Sequence, residues 1–374
     1  MPDCAAAAVV LVAGSACGGA TRRGRAIGIL ARRRTGEGIP AIQSPFVKPK
    51  SEAAQAPETP PSPADVAGLP LAVAGARVML EQLERIEAHE AGARSGDDPE
   101  DVHRMRVATR RLRAARRVFG PALAGADPAL DGPTLERANA ELKALADALG
   151  RVRDLDVFVA ALRKHVEEAP AGDRAALDAM IAGREQERDA AQTDLRALLD
   201  GGAIDFLRHD FHQTLEALAE PAGEPAGKRS RKGTVRSAAP RLIARALRRL
   251  EKDEEDLLAP TSSELHERRI RAKRARYTCE FLAPAFGDVL DEPVAHLTAL
   301  QDTLGEIHDA DVAVSALLGA IEGVSADPAR AQEAGAIARL AARYAAERDA
   351  ELPTFRERWR RRPRPKRLCR ALKG

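Results

Sequence analysis

The sequence predicts an all-α fold, and three features carry that prediction. Aromatic residues are only 3% of the chain, while alanine, leucine, arginine and glutamate dominate, a usage that favours helices over strands. From Leu71 onward apolar residues recur at helical spacing, the signature of amphipathic helices. Two motif blocks then recur in the same order, which implies two similar helical units. With 374 residues, 44% of them apolar, the chain is long enough for one or two cores of ordinary size.

The first 70 residues read as an extension. Ala5 to Ala16 is apolar and resembles a short signal-peptide core, yet only Asp3 precedes it and Cys17 lacks the leucine of a lipoprotein site. Positive charge is expected ahead of such a core, so the segment reads as a disordered or wrongly assigned start in a cytoplasmic chain. Residues from about Gly36 to Pro70 have the Pro, Ala, Ser and Glu content of a linker. No stretch reaches the ~20 apolar residues of a spanning helix, so no membrane is expected as a partner. Cys4, Cys17, Cys279 and Cys369 are scattered, which suits free thiols in a reducing compartment.

The helices follow in order. The first runs from Leu71 to near Gly92, and the loop SGDDPED offers capping residues, acids and a proline for the next. That helix is expected from about Pro99 to Phe119, with Gly120 and Pro121 stopping it. Another spans Pro133 to Leu149 and continues toward His165 across a break at Gly150. Asp173 to Leu199 reads as a long helix and Ile204 to Leu218 as a further one. Glu220 to Lys232 is a linker, after which the pattern restarts in a second unit over 235–355. The tail from Arg356 (RERWRRRPRPKRLCR) is proline-broken and expected to be disordered.

The restart is an internal repeat. VHRMRVATRRLRAARRVFGPAL from Val102 aligns without a gap to LHERRIRAKRARYTCEFLAPAF from Leu265. Downstream, ELKALADALGRVRDLDVFVAAL from Glu141 aligns with HLTALQDTLGEIHDADVAVSAL from His296. On the first basic helix Met105, Ala108, Leu112, Ala115 and Phe119 share one stripe, the side expected to face the core. His103, Arg106, Arg110, Arg113 and Arg117 form a second stripe at spacings of 3, 4, 3 and 4. Like charges so placed repel by a few tenths of a kcal/mol per pair, so the row costs stability unless an anion neutralises it. His266, Arg269, Lys273 and Arg276 repeat the row. Glu280 stands at the place of Arg117 and Arg268 at that of Met105, so the second copy is less cleanly amphipathic. Arg111 and Arg274 add a matched charge on another face. A solvated helix face is the competing reading, and recurrence at identical spacing argues against it.

The pattern H-x-x-R-[VI]-x-x-[RK]-R-x-R, followed by LG-x-x-[RH]-D-x-DV, resembles the CHAD family (conserved histidine α-helical domain). The resemblance covers about Leu71 to Ala350. It implies two pseudo-symmetric four-helix bundles around a basic cleft or pore that binds inorganic polyphosphate without catalysis. By the same resemblance His103, Arg106, Arg110, Arg111, Arg113, His266, Arg269, Lys273, Arg274 and Arg276 inherit the binding role.

The chemistry of the residues agrees. A polyphosphate binder needs cations on a rigid scaffold, forked arginine donors that match phosphate oxygens, and histidines that charge beside a polyanion. Arg117, Arg153 and its counterpart His308 are expected to add to the anion site, and Arg245, between Arg241 and Arg248, to line the same cleft. Asp154, Asp156, Asp309 and Asp311 are expected to pair with arginines of the basic helices and hold their rotamers, with metal bridging as the alternative.

Two other functions compete. His308–Asp309 can be read as the HD pair of a metal-dependent phosphohydrolase, but its counterpart is Arg153–Asp154, and no HExxH, P-loop, GxSxG or ExExK pattern occurs. A nucleic-acid binder could use the basic rows but would have few aromatics for stacking. No cofactor and no metal is expected. Polyphosphate granules and a polyphosphate-metabolising enzyme are the expected surroundings. The formal net charge is only +3, from 59 basic and 56 acidic residues, so the sorting of charge in space decides between these readings.

Overall fold

The computed structural model describes residues 63–130, 132–220, 233–253 and 260–373. The N-terminal extension up to residue 62 and all but Glu220 of the expected mid-chain linker lie outside the described residues.

Within that range the chain is α-helical, as expected. The elements are α1 (Pro63–Gly68), α2 (Leu71–Ala88), α3 (Glu90–Ser95), α4 (Pro99–Ala124), α5 (Gly132–Glu168), α6 (Ala171–Asp200), α7 (His212–Ala219), α8 (Val235–Glu251), α9 (Ser262–Leu282), α10 (Asp291–Ser325), α11 (Ala331–Arg360) and α12 (Pro365–Ala371). A π turn over Leu207–Phe211 leads into α7, where the sequence predicts plain helix. Among the described residues no helix is long and apolar enough to cross a membrane.

Local chemistry starts the two basic helices. Asp98 accepts from the Glu100 amide at 2.8 Å ahead of α4, with Pro99 in the first turn. Thr261 and Glu264 form a capping box at α9, a reciprocal pair that satisfies two otherwise orphaned amides. Helix α4 does not stop at Gly120–Pro121 but runs to Ala124. Gly120 and Leu123 are buried there, so packing of the last turn offsets the hydrogen bond that Pro121 cannot donate. Nor does α5 break at Gly150. It is continuous over 37 residues.

The same neighbours recur in both halves: α2 on α4, α4 on α5 and α5 on α6, then α8 on α9, α9 on α10 and α10 on α11. Within each set every helix packs on the next, and α4 packs directly on α9. The predicted stripe is the core side of α4: Met105, Leu112, Ala115 and Phe119 are fully buried and Ala108 nearly so. Gly75 admits α2 to this core, because a Cβ there would lie 2.5 Å from that of Phe119. Phe119 in turn meets Phe281 of α9 with ring centroids 6.1 Å apart, so one hydrophobic core runs through both halves.

α5 and α10, with 37 and 35 residues, outrun α4 and α9, with 26 and 21. Their far ends, with α6 and α11, bury a second cluster that includes Leu162, Leu177, Leu317, Ile337 and Tyr344. Two ion pairs, Arg343–Glu168 at 2.8 Å and Arg339–Asp173, tie the two hairpins together there.

The expected disordered tail is instead ordered. Phe355 and Trp359 of α11 are buried, α12 buries Leu368 and Leu372, and Arg362 is only 3% exposed. The prolines that argued for disorder punctuate a turn and open α12 at its N-terminus, a position where proline costs no hydrogen bond.

Candidate functional site

The two basic helices pack on one another and bring some of their cations together. Arg106 of α4 and Arg269 of α9 occupy matched positions, and each guanidinium lies over a glycine of the downstream motif. A Cβ built on Gly150 would stand 3.8 Å from Arg106 Nε, and one on Gly305 would stand 3.8 Å from Arg269 Nε. Arg106 Nη2 donates to Asp154 at 3.2 Å, and Arg269 lies 3.9 Å from Asp309. Burial holds the Arg106 guanidinium below its ordinary value. Asp154 opposes that shift, while Arg110, Arg269 and Arg153 reinforce it. Arg269 is lowered likewise, by burial first, with Asp309 raising and Arg110 lowering. Charges from both halves therefore act on one another.

A second meeting of cations involves Arg117 and Arg274. Arg117 is lowered by burial and then by Arg274, Arg113 and Arg116, although its side chain reaches solvent. Among the described residues Arg113, Arg117, Arg153 and Arg274 have no hydrogen bond or ion pair with a carboxylate. The repulsion that Arg274 and Arg113 exert on Arg117 is not offset by a carboxylate among the described residues.

The histidines divide. His103 and His266 are half-buried, and His266 Nδ1 lies 3.2 Å from His308 Nδ1, with ring centroids 4.4 Å apart. Burial, then Arg269, His266 and Lys273, push His308 down to about 4. Across this contact one Nδ1 donates and the other accepts, and Arg269 and Lys273 beside the rings make an added charge on His308 unfavourable until an anion offsets them.

Several residues stand elsewhere than the sequence suggests. Asp156 and Asp311 do not reach the basic helices: they pair with Arg188 of α6 at 3.0 Å and Arg348 of α11 at 3.2 Å. Two residues beyond Asp154 and Asp309 on a helix, they face about 200° away and meet the hairpin partner instead. Arg111 and Arg276 are fixed by one carboxylate. Glu280 takes a 2.6 Å bond from Arg111 across the interface and pairs with Arg276 along α9. Arg245 lies on the exposed face of α8, and none of the charges acting on Arg106, Arg117 or Arg269 comes from α8. Arg268, which seemed to spoil the core stripe of α9, is 3% exposed. It donates to the carbonyls of Leu250, Lys252 and Asp253 at 2.6–2.7 Å, filling the orphan acceptors at the end of α8.

Tyr277 was missed altogether. Its hydroxyl accepts from Arg110 Nε at 2.8 Å, and the Arg111 and Arg276 guanidiniums lie 5.4 and 4.7 Å from its ring centre. In a chain with two tyrosines, one placed opposite Ala114 in the repeat was the available signal. Among the described residues no group of three or more His, Cys, Asp or Glu is arranged to hold a metal ion.

Two sets of successively packed helices joined through α4 and α9 define an all-α scaffold that carries arginines and histidines where those two helices meet. The chain belongs to the CHAD domain family, whose model matches residues 77–318. Its fold is similar to the crystal structure of the CHAD domain from the plant Ricinus communis. That match has a TM-score of 0.60 at 23% identity and covers 82% of this chain and 96% of that one. It is also similar to PptA from Streptomyces chartreusis, with a TM-score of 0.51 at 17% identity, covering 78% of this chain and all of the other. At these identities the likeness is one of fold. No curated protein matches the chain.

Proposed function

We propose that this protein binds inorganic polyphosphate, without catalysis, in a basic cleft along the meeting of α4 and α9. Membership of the CHAD family makes a polyphosphate-related role the natural starting point. The observation that carries the reading is the mutual electrostatics of the two halves: Arg106 with Arg269, and Arg117 with Arg274. Evolution of a stable fold alone would separate or neutralise such charges. A chain of phosphates replaces their repulsion with charge-assisted hydrogen bonds. Arg106 and Arg269 form a seat steadied by Asp154 and Asp309, while Arg113, Arg117, Arg153, Lys273 and Arg274 supply charge along the ligand. Arg110 takes its orientation from Tyr277 and adds to that charge. Arg111 and Arg276, tied to Glu280, hold the two helices in register and present residual positive charge. His308, which burial and nearby cations hold neutral, gains charge beside the bound phosphates, and His103 and His266 offer ring N–H donors to them. Residence on polyphosphate granules, or beside a polyphosphate-metabolising enzyme, goes with this reading.

The test is binding of labelled polyphosphate over a range of salt by the wild type and by Arg117→Glu/Arg274→Glu, two exposed positions that the fold does not need. Affinity should fall linearly on a log–log salt plot, by analogy with counterion release from nucleic acids, and the double variant should lose at least about tenfold, or 1.4 kcal/mol. Equal binding by variant and wild type removes the cleft from the account. If nucleic acid displaces polyphosphate at equal phosphate concentration, the ligand is wrong, and phosphate release on adding Mg²⁺ or Mn²⁺ would make the protein a hydrolase.

A further inference from the structure

We propose that the outer face of α8, together with α12, is a second polyphosphate-binding surface that engages another stretch of a long chain. The inference rests on the reading of the α4–α9 cations as a polyphosphate site and adds a surface to it.

Beyond its first turn helix α8 is two-sided. Val235, Ala239, Ile243, Leu247 and Leu250 are buried, and the opposite arc carries Arg241, Arg245, Arg248 and Arg249, all exposed. None of the four has a hydrogen bond or ion pair with a carboxylate among the described residues. Helix α12 extends the same surface. Cys369 Sγ donates to the Pro240 carbonyl at 3.2 Å, and Arg364 pairs with Glu251 at 3.1 Å. Pro240 adjoins Arg241 and Glu251 lies one turn past Arg248, so α12 lies along the flank of α8 next to those two arginines. Leu368 and Leu372 face inward, and Lys366, Arg367 and Arg370 face solvent. α12 contains no acid, and Glu251 is already shared by Arg362 and Arg364.

The result is a surface of seven exposed cations shared by two adjoining helices, with Arg236 of α8 outside it, on a protein whose formal net charge is +3. Repulsion within such a row is not offset by a carboxylate among the described residues, so the surface gains from an external polyanion. Its chemistry selects among polyanions. The large exposed hydrophobic side chains among the described residues are Val289, Val312 and Leu318, and none lies on α8 or α12. Bases would find no platform to stack on, and a lipid surface no apolar anchor to receive. A bare phosphate polymer needs neither. The matched family model ends at residue 318, so α12 lies beyond it.

A long chain held at the α4–α9 cations reaches this surface at high effective concentration, whereas a short one does not. The test compares long-chain and short-chain polyphosphate binding by the wild type and by the quadruple variant Arg241→Ser, Arg248→Ser, Arg367→Ser, Arg370→Ser. All four positions are exposed, and circular dichroism with thermal melting verifies the fold. The variant should bind the long chain at least about tenfold more weakly, with a salt slope smaller by about three, and bind the short chain as the wild type does. Unchanged long-chain affinity and slope would overturn the second surface and leave the first intact. Equal loss of short-chain and long-chain binding would overturn it too, because the four residues would then belong to the first site. If the wild type binds neither chain, the underlying reading falls and this one with it. If the variant loses affinity for duplex DNA but keeps it for long-chain polyphosphate, the surface serves nucleic acid instead.

Discussion

Replacing Glu280 with glutamine should weaken the fold through the very contact that joins its halves. The carboxylate is 17% exposed and meets Arg111 of α4, 24% exposed, and Arg276 of α9, 15% exposed. Glutamine keeps the shape but leaves two half-buried guanidiniums facing a neutral amide. Removing one member of a fully buried ion pair costs about 3–5 kcal/mol, and partial solvent access here reduces that to about 2 kcal/mol. For a chain of 374 residues such a loss lowers Tm by about 2–4 °C. Thermal unfolding by circular dichroism reads it directly. Glu267→Gln is the control, since Glu267 pairs with Arg271 on the surface with 62% of its side chain exposed, and the loss there should stay under about 0.5 kcal/mol. The cycle Arg111→Met, Glu280→Gln should return a coupling of about 1 kcal/mol or more. If Glu280→Gln melts within about 1 °C of the wild type, the shared carboxylate does not hold the two helices together and the reasoning fails.

Three further outcomes follow from the same geometry. Arg268→Met removes three bonds to the carbonyls closing α8 and should cost about 3 kcal/mol in urea unfolding; a loss below about 1 kcal/mol would mean that water replaces the cap. His308, pushed down to about 4 from 6.5, is neutral in the fold while the unfolded chain takes up a proton below about 6.5. Stability should therefore fall as pH drops from 6.5 toward 4, by on the order of 2 kcal/mol, and His308→Gln should flatten that slope. Polyphosphate favours the charged ring, so its affinity should rise over the same interval. Gly150→Ala places a methyl at ordinary contact distance from Arg106 and should stabilise α5 by up to about 1 kcal/mol with polyphosphate affinity intact. Gly150→Leu should displace that guanidinium and weaken binding severalfold, and equal binding by both variants would show that the seat of Arg106 does not matter.

What the amino-acid order determined on its own is what repeats locally. The stripe of Met105, Ala108, Leu112, Ala115 and Phe119 is buried as its spacing requires, because burial of one helix face is written in every third and fourth residue. The helix start in the loop SGDDPED, where Asp98 caps α4, was equally legible, since a cap is a contact within one turn. Duplication of the basic rows could be read by alignment alone.

Tertiary structure decided whatever depends on residues far apart in the chain. Asp156 and Asp311 turn to Arg188 and Arg348 because the hairpin partners α6 and α11 stand on that side, which helical spacing shows only as a direction and not as a neighbour. Arg268 looked like a defect in an apolar stripe until the end of α8 supplied three carbonyls for it. Pro121 was read as a stop, yet buried contacts of the last turn outweigh its one missing hydrogen bond. The prolines of the tail were read as a sign of disorder, yet they sit in a turn and at the start of α12. Glu280 and Tyr277 gain their importance only because α4 and α9 touch. Periodicity specifies which face of a helix is buried, and only the packed chain specifies what lies against it.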